Sequence, residues 1–387
     1  MTMKLTTTFQ HFFESEKASG VVLILCTVLS LLCANSAWGP AYLGFWHHTL
    51  FGLSIEHWIN DGLMAVFFLL IGLELERELY VGELADFRNA LLPIFAALGG
   101  IAIPALIHFA LNAGTPTQAG TGIPMATDIA FALGALALLG SRIPPALKIF
   151  LTALAVMDDL GAIIVIALFY SGGLSLGYLL GALAVFGLLL VCNRVFRLMS
   201  LWPYLLGGAL MWFLMLRSGV HATIAGVLLA FAIPFASRGP AEASPSHRLE
   251  HALHKPAAFL ILPLFALANT GIVVGEGWLQ GLSQPNSLGI LAGLVLGKPL
   301  GIALLSFLAV AIGLCRLPAE LRWAHIVGAG CLGGIGFTMS IFITNLAFAG
   351  QVELINASKM AVLIASVVSG GLGLLWLRSL SPARPGG

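Results

Sequence analysis

The sequence is a succession of apolar runs separated by short polar joints, and most of the runs are long enough to cross a bilayer. Twelve spans can be drawn, near 18–35, 56–80, 89–111, 121–139, 145–170, 175–193, 201–216, 219–236, 256–273, 286–312, 323–349 and 358–378. About 20 apolar residues suffice for one helical crossing. Within hydrocarbon the backbone must satisfy its own hydrogen bonds, so such runs are expected to be helices, and the alternating pattern of barrel strands is not seen. The chain is 59% hydrophobic and 9% charged. Soluble domains carry roughly a quarter charged residues, so water cannot be the solvent on every side. The expected fold class is an all-α polytopic membrane protein. The first run follows Glu14, Glu16 and Lys17, and reads as a retained helix rather than a cleaved signal.

The formal net charge of +1 and the lack of any basic run give no reason to expect a nucleic-acid partner. Five cysteines (Cys26, Cys33, Cys192, Cys315 and Cys331) are scattered through apolar stretches with no C-x-x-C pair, which favours packing roles over disulfides or zinc. The longest polar joint is 237–255. With the N-terminus placed in the cytoplasm, Arg217 and Lys359 fall outside, Lys298 falls within a span, and the rest of the 18 Lys and Arg fall inside, Lys4, Arg238 and Arg384 among them. A miscounted helix would destroy that bias, so twelve spans with both termini cytoplasmic are expected. Segment 36–55 then lies outside and carries Trp38, Tyr42, Trp46, His47 and His48. It reads as an interfacial aromatic belt, or as a hairpin or surface helix used against a second subunit.

Four ionisable residues sit near the middle of spans: Asp128 in span four, Asp158 and Asp159 in span five, and Lys298 in span ten. Each such group costs roughly 2.5–3.5 kcal/mol on insertion scales. Mutual neutralisation would need only one acid and one base. Three acids against one base leave surplus negative charge, which calls for protons or a cation. Adjacent helical residues point about 100° apart, so Asp158 and Asp159 cannot face one neighbour squarely. One can pair with Lys298 while the other faces a water-filled path, and the two titrate as a coupled unit. Protons and a small hard cation would then compete for the same oxygens. Competition at a site open to one side at a time gives antiport.

Glycine and proline mark where the helices break. Gly120, Gly122 and Pro124 precede Asp128 in span four, and Gly330, Gly333, Gly334 and Gly336 precede Thr338 in span eleven. Close packing alone could explain either cluster. Position adds to this, because spans three to five and ten to twelve are seven helices apart and must cross in opposite senses. Each triplet has its interrupted helix in the middle, the pattern of inverted repeats with discontinuous helices and a midplane site.

Two other classes are weighed. A proton-coupled organic solute carrier, or a carrier of another monovalent cation, would share the scaffold, but an organic solute calls for several Asn, Gln or Arg groups at the midplane. An intramembrane aspartyl protease needs two carboxylates facing each other from different helices, whereas Asp158 and Asp159 are neighbours on one helix. The chain is therefore not expected to be an enzyme or to carry a resident cofactor.

The residues that carry a resemblance are W-I-N-D-G-L-M-A-V-F-F-L-L-I-G-L-E (58–74), A-T-D-I-A-F-A-L-G (126–134), L-K-I-F-L-T-A-L-A-V-M-D-D-L-G-A-I (147–163), S-G-V-H-A-T-I-A-G (218–226), L-G-K-P-L-G-I (296–302) and G-I-G-F-T-M-S-I-F-I (334–343). Over nearly its whole length the sequence resembles the NhaA family of sodium/proton antiporters, itself an example of inverted-repeat architecture. The resemblance implies electrogenic exchange of cytoplasmic sodium or lithium for external protons by alternating access, in the cell inner membrane. It implies a core bundle, from about 89–170 and 286–380, with interface helices from the remainder, and spans four and eleven crossing at unwound middles. Asp159 matches the chief cation ligand, and Asp158 the acid that alternates between Lys298 and the cation. Thr127 and Asp128 match residues beside the unwound stretches and join the two acids in the expected cation site, and Asp61 matches a carboxylate on the outer path. Glu74, Arg77, Glu78, Arg248, Glu250, His251 and His254 match a cytoplasmic cluster that shuts the family down at acidic pH, and His221 matches a further residue of the family. From chemistry alone this cluster could be a solvated helix end and a surface segment, and His221 a capping or interfacial residue. Glu76 stands where the family commonly has lysine, and His247 is a second departure; both make the cluster less basic. The family is usually dimeric, so a homodimer is expected, although segment 36–55 is short for the family's dimer-forming hairpin.

Overall fold

The computed structural model describes residues 7–236, 244–275 and 277–380. Lys4, Arg238 and Arg384, and residues 237–243 of the long polar joint, lie outside the described residues. The described chain is helical apart from one two-stranded hairpin. Seven of its helices are long and apolar enough to cross a membrane, or up to 10 spans if each of three bent pairs counts as one. The seventh expected span is a helix at Trp202–Ser218, close to its expected 201–216, whereas the eighth is short, Ile224–Ala232 having 9 residues. Between them Gly219 turns left-handed (φ 83°) and ends the first helix, and residues 220–223 stay outside the second. The polar joint is also shorter than the sequence suggests. A single helix runs from Pro245 to Asn269, with proline in its first turn, where the missing N–H costs nothing, and it passes Pro256 through a π turn at Ala257–Ile261.

The chain divides into two compact units. The first comprises 1–36, 86–162 and 269–387. It holds span one (Thr7–Ala34) and span three (Phe87–Asn112). It also holds most of span five (Pro145–Phe169), span ten (Pro285–Ala311) and span twelve (Val352–Ser379). Span four is broken into Pro116–Met125 and Ile129–Leu138, bent by 42°, and span eleven into Trp323–Gly333 and Phe337–Ala347, bent by 48°. Spans three and ten touch backbone to backbone: a Cβ built on Gly99 would lie 2.0 Å from the carbonyl oxygen of Gly301. Span ten widens into a π turn at Gly293–Gly297, immediately before Lys298. Such single π turns are frequent at functional sites.

The second unit comprises 37–85 and 163–268, and its core includes Leu69, Leu73, Tyr204, Met211, Leu229 and Ile233. Segment 36–55 is ordered. It forms a helix at Gly39–Trp46 and an antiparallel hairpin pairing Thr49–Leu50 with Leu53–Ser54. The two turn residues, Phe51 and Gly52, have φ of 51° and 84°, the left-handed pair that a tight hairpin requires. Tyr42 donates to the carbonyl of Leu267 at 2.6 Å, while Trp38 and Phe51 are exposed.

Candidate functional site

The two broken spans meet at their breaks. In span four, glycine and Pro124 favour the tight 3-10 winding of Pro116–Met125, after which Ala126 and Asp128 are extended. In span eleven, Gly334 and Gly336 interrupt the helix where neither side chain nor β-branching resists it. Each break then supplies partners that the other lacks. The N–H of Asp128 donates to the carbonyl of Ile335 at 2.6 Å. The hydroxyl of Thr127 lies 2.8 Å from the carbonyl oxygen of Gly333. Ser340 donates to the carbonyl of Ile123 at 2.7 Å.

Asp128 joins the two new N-termini. Its Oδ1 accepts from the N–H of Phe131 at 3.0 Å and caps Ile129–Leu138. Its Oδ2 accepts from the N–H of Thr338 at 3.0 Å and from the Thr338 hydroxyl. One carboxylate therefore faces two helix ends that each carry partial positive charge.

Lys298 reaches the same crossing from span ten. Its Nζ donates to Oδ2 of Asp158 and, at 2.9 Å, to the hydroxyl oxygen of Thr127. Thr127 Oγ1 is also 2.5 Å from Asp158 Oδ2. The threonine has one proton for two acceptors, Asp158 and Gly333, while accepting from the ammonium. Lys298 is 0% exposed, and Asp158 and Asp159 are each 1% exposed. The second oxygen of Asp158, Oδ1, is buried and accepts no hydrogen bond among the described residues. Asp159 lies within electrostatic reach of Lys298. Desolvated charges survive only when paired and hydrogen-bonded, and here one ammonium serves two adjacent carboxylates. The arrangement can exchange a proton or a small cation for part of that pairing. Among the described residues no group of three His, Cys, Asp or Glu stands together in a way that could hold a metal ion; Asp128 is engaged with the helix ends and Asp158 with the lysine.

The remaining sequence-selected residues lie in the second unit. Asp61 sits in a π turn at Trp58–Leu63 and meets His57 Nε2 at 2.8 Å, with its carbonyl accepting from Trp212 Nε1 at 2.8 Å. Arg77 bridges Glu250, at 2.8 Å from Nε, and Glu78, also at 2.8 Å. Glu74 and His254 are 3.8 Å apart. Arg248 and His251 are exposed on the same helix. His221 stands apart from this group, donating through Nε2 to the carbonyl of Tyr170 at 2.8 Å. Glu76 is buried and accepts from Ser246 at 3.2 Å. His247 stacks near Phe235, with ring centroids 4.9 Å apart.

Thr338, in sequence only the residue that follows the glycines, binds Asp128 twice. Ser366 carries no sequence signal, yet its hydroxyl accepts from the N–H of Phe337 at 3.1 Å. Hydroxyl residues in apolar helices give no signal until the backbone break they serve is known.

A family model described as Na+/H+ antiporter 1 matches residues 10–377. A protein of Dechloromonas aromatica named Na(+)/H(+) antiporter NhaA is 76% identical over 374 residues, 97% of this chain and 96% of that protein. A protein of the same name from Cytophaga hutchinsonii is 57% identical, covering 97% of this chain and 96% of its own length. A third, Na(+)/H(+) antiporter NhaA 1 of Flavobacterium johnsoniae, is 59% identical over 97% of this chain and 98% of its own.

Proposed function

The chain belongs to the Na+/H+ antiporter 1 family, the family of the NhaA proteins, and from that premise we propose how this multi-pass membrane transporter carries out the exchange. It moves sodium or lithium out of the cytoplasm and protons in, electrogenically, across the inner membrane, with both chain termini on the cytoplasmic side. The carrying observation is the buried Lys298–Asp158 pair beside Asp159, set against the crossing of two broken helices. Proton and cation alternate on one set of oxygens. When Asp158 and Asp159 hold the cation, Lys298 loses its carboxylate partner; when the cation leaves, the ammonium and the protons restore the pairing. Thr127 and Asp128 hold the crossing in register. Their hydrogen bonds tie each half-helix to the other span, so a shift of either break moves the oxygens of Asp158.

In this reading the first unit carries the transport chemistry, and Asp61 belongs to the outer ion path. The Arg77–Glu250–Glu78 group with Glu74 and His254 adjusts activity to cytoplasmic pH, with Arg248, His251 and His221 as outlying members. The exposed hairpin at 49–54 serves a homodimer contact.

Purified protein in proteoliposomes, loaded with a pH dye and challenged with sodium, lithium or potassium across a pH range, tests the exchange. Sodium- and lithium-dependent proton flux is expected, and the potassium arm reads the selectivity of the site. Proton flux that follows an organic solute, and no alkali cation, contradicts it.

A further inference from the structure

The first half of span four packs on a buried polar relay that lies away from the acids. His108, on span three, is 0% exposed. Gly100, on the same helix, has its Cβ position 3.7 Å from Asp158 Oδ1. His108 is eight residues further on, or about 12 Å along the helix. Its Nε2 lies 3.1 Å from the amide oxygen of Asn286 on span ten, an acceptor, so the ring nitrogen donates. Asn286 Nδ2 donates to the hydroxyl of Ser358 on span twelve at 2.7 Å, and Ser358 donates onward to the carbonyl of Leu354 at 2.7 Å. The relay thus ties three spans together through side chains.

The imidazole is also enclosed. A Cβ on Gly289 of span ten would lie 2.8 Å from its Cδ2. A Cβ on Gly120, in the first half of span four, would lie 3.2 Å from its Cε1 and 2.9 Å from the Asn286 oxygen. No side chain larger than hydrogen fits at Gly120 unless the relay and the Phe348 ring, whose Cζ is 2.8 Å from the same point, both shift. The short helix Pro116–Met125 therefore rests directly on the relay, and it leads into Thr127 and Asp128. A buried polar chain of this kind is stable only while every member stays in place. Thr117 in that half-helix donates to Oδ1 of Asn112 at 2.7 Å, and Asn112 Nδ2 donates to the carbonyl of His108 at 2.9 Å, so movement of the half-helix away from span ten pulls on the stretch of span three that carries the imidazole.

We infer that His108 is a positioning residue for exchange: through Asn286 and Ser358 it latches the first half of span four and closes the first unit on the outer side of the acids. The inference rests on the orientation given under Proposed function, which places the C-terminal end of span three outside. While the latch is closed, the ion site faces inward; releasing it shifts the population toward the outward-open form, which weakens apparent binding from the inside.

The test uses Ile123→Cys, on the latched half-helix, in full-length protein whose five native cysteines are serine. It is labelled with a membrane-impermeant maleimide in right-side-out and inside-out vesicles. Phe51→Cys, on the 90% exposed hairpin tip, reports orientation in the same vesicles. Added His108→Ala or Ser358→Ala is expected to raise outer-side labelling of Ile123→Cys about tenfold, the change that one lost buried hydrogen bond makes to an opening equilibrium. The same variants raise the apparent KM for cytoplasmic sodium, and His108→Gln, which keeps an N–H donor, restores both readouts. Ser358→Ala leaves the imidazole in place and carries the test if His108→Ala does not fold. Unchanged labelling with Phe51→Cys outside overturns the latch. Labelling of Phe51→Cys only from the cytoplasmic face overturns the orientation, and the outward placement with it.

Discussion

Lys298 and Asp158 form their ion pair where neither reaches solvent, the lysine coming from span ten and the acid from span five. The ammonium also donates to Thr127, so one side chain links three spans at the crossing. Removing it strands a buried carboxylate. Breaking a buried pair in this way costs roughly 3–5 kcal/mol. Lys298→Ala should lower the melting temperature of the purified protein in detergent, and an unchanged melting temperature contradicts the pairing.

Asp159→Asn keeps the shape of the side chain and removes its charge. Exchange should be abolished in everted vesicles followed with a pH dye on addition of sodium. Wild-type dequenching in this variant would remove Asp159 from the ion site.

Asp128 accepts from the N–H groups of Phe131 and Thr338, one at the start of each half-helix. Asp128→Ala leaves the buried Thr338 N–H without this acceptor, at about 1–3 kcal/mol, and the half-buried Phe131 N–H without its cap. Asp128→Asn keeps an acceptor oxygen and should recover part of that loss. Melting curves for the two variants check the order; equal stability of Asp128→Ala and wild type contradicts the double cap.

Gly99 and Gly301 allow spans three and ten to meet backbone to backbone. A methyl group at Gly99 would fall 2.0 Å from a carbonyl oxygen that no rotamer change can move. Gly99→Ala should destabilise the protein and displace Lys298, three residues before Gly301, so exchange should fall with it. Full activity at a normal melting temperature would show that this contact does not set the register of span ten.

The breaks in spans four and eleven were legible because glycine and proline weaken a helix wherever they stand, whatever the fold around them. The embedded charges were legible because hydrocarbon makes them costly. Which oxygen meets which donor was not. Thr127, Thr338 and Ser366 find their partners across 29 to 210 residues of sequence, and no local pattern encodes such pairings. Apolar composition continues on both sides of the helix of span eight, past the left-handed turn at Gly219 and beyond Pro234, so the sequence marks a longer span than the helix itself. Residues 245–255 are polar and look like a joint in sequence, whereas they continue the helix of span nine. In segment 36–55 the aromatic content masks the F-G pair that turns the hairpin.

Exchange by this route requires protons and sodium to share the oxygens of Asp158 and Asp159. Calorimetric titration of purified protein with sodium, repeated in buffers of different ionisation enthalpy, counts the protons released on binding. Proton release with the wild-type chain, and neither binding nor release with Asp158→Asn/Asp159→Asn, is the predicted result. Sodium binding with no proton release, or binding that survives in the double variant, would contradict it.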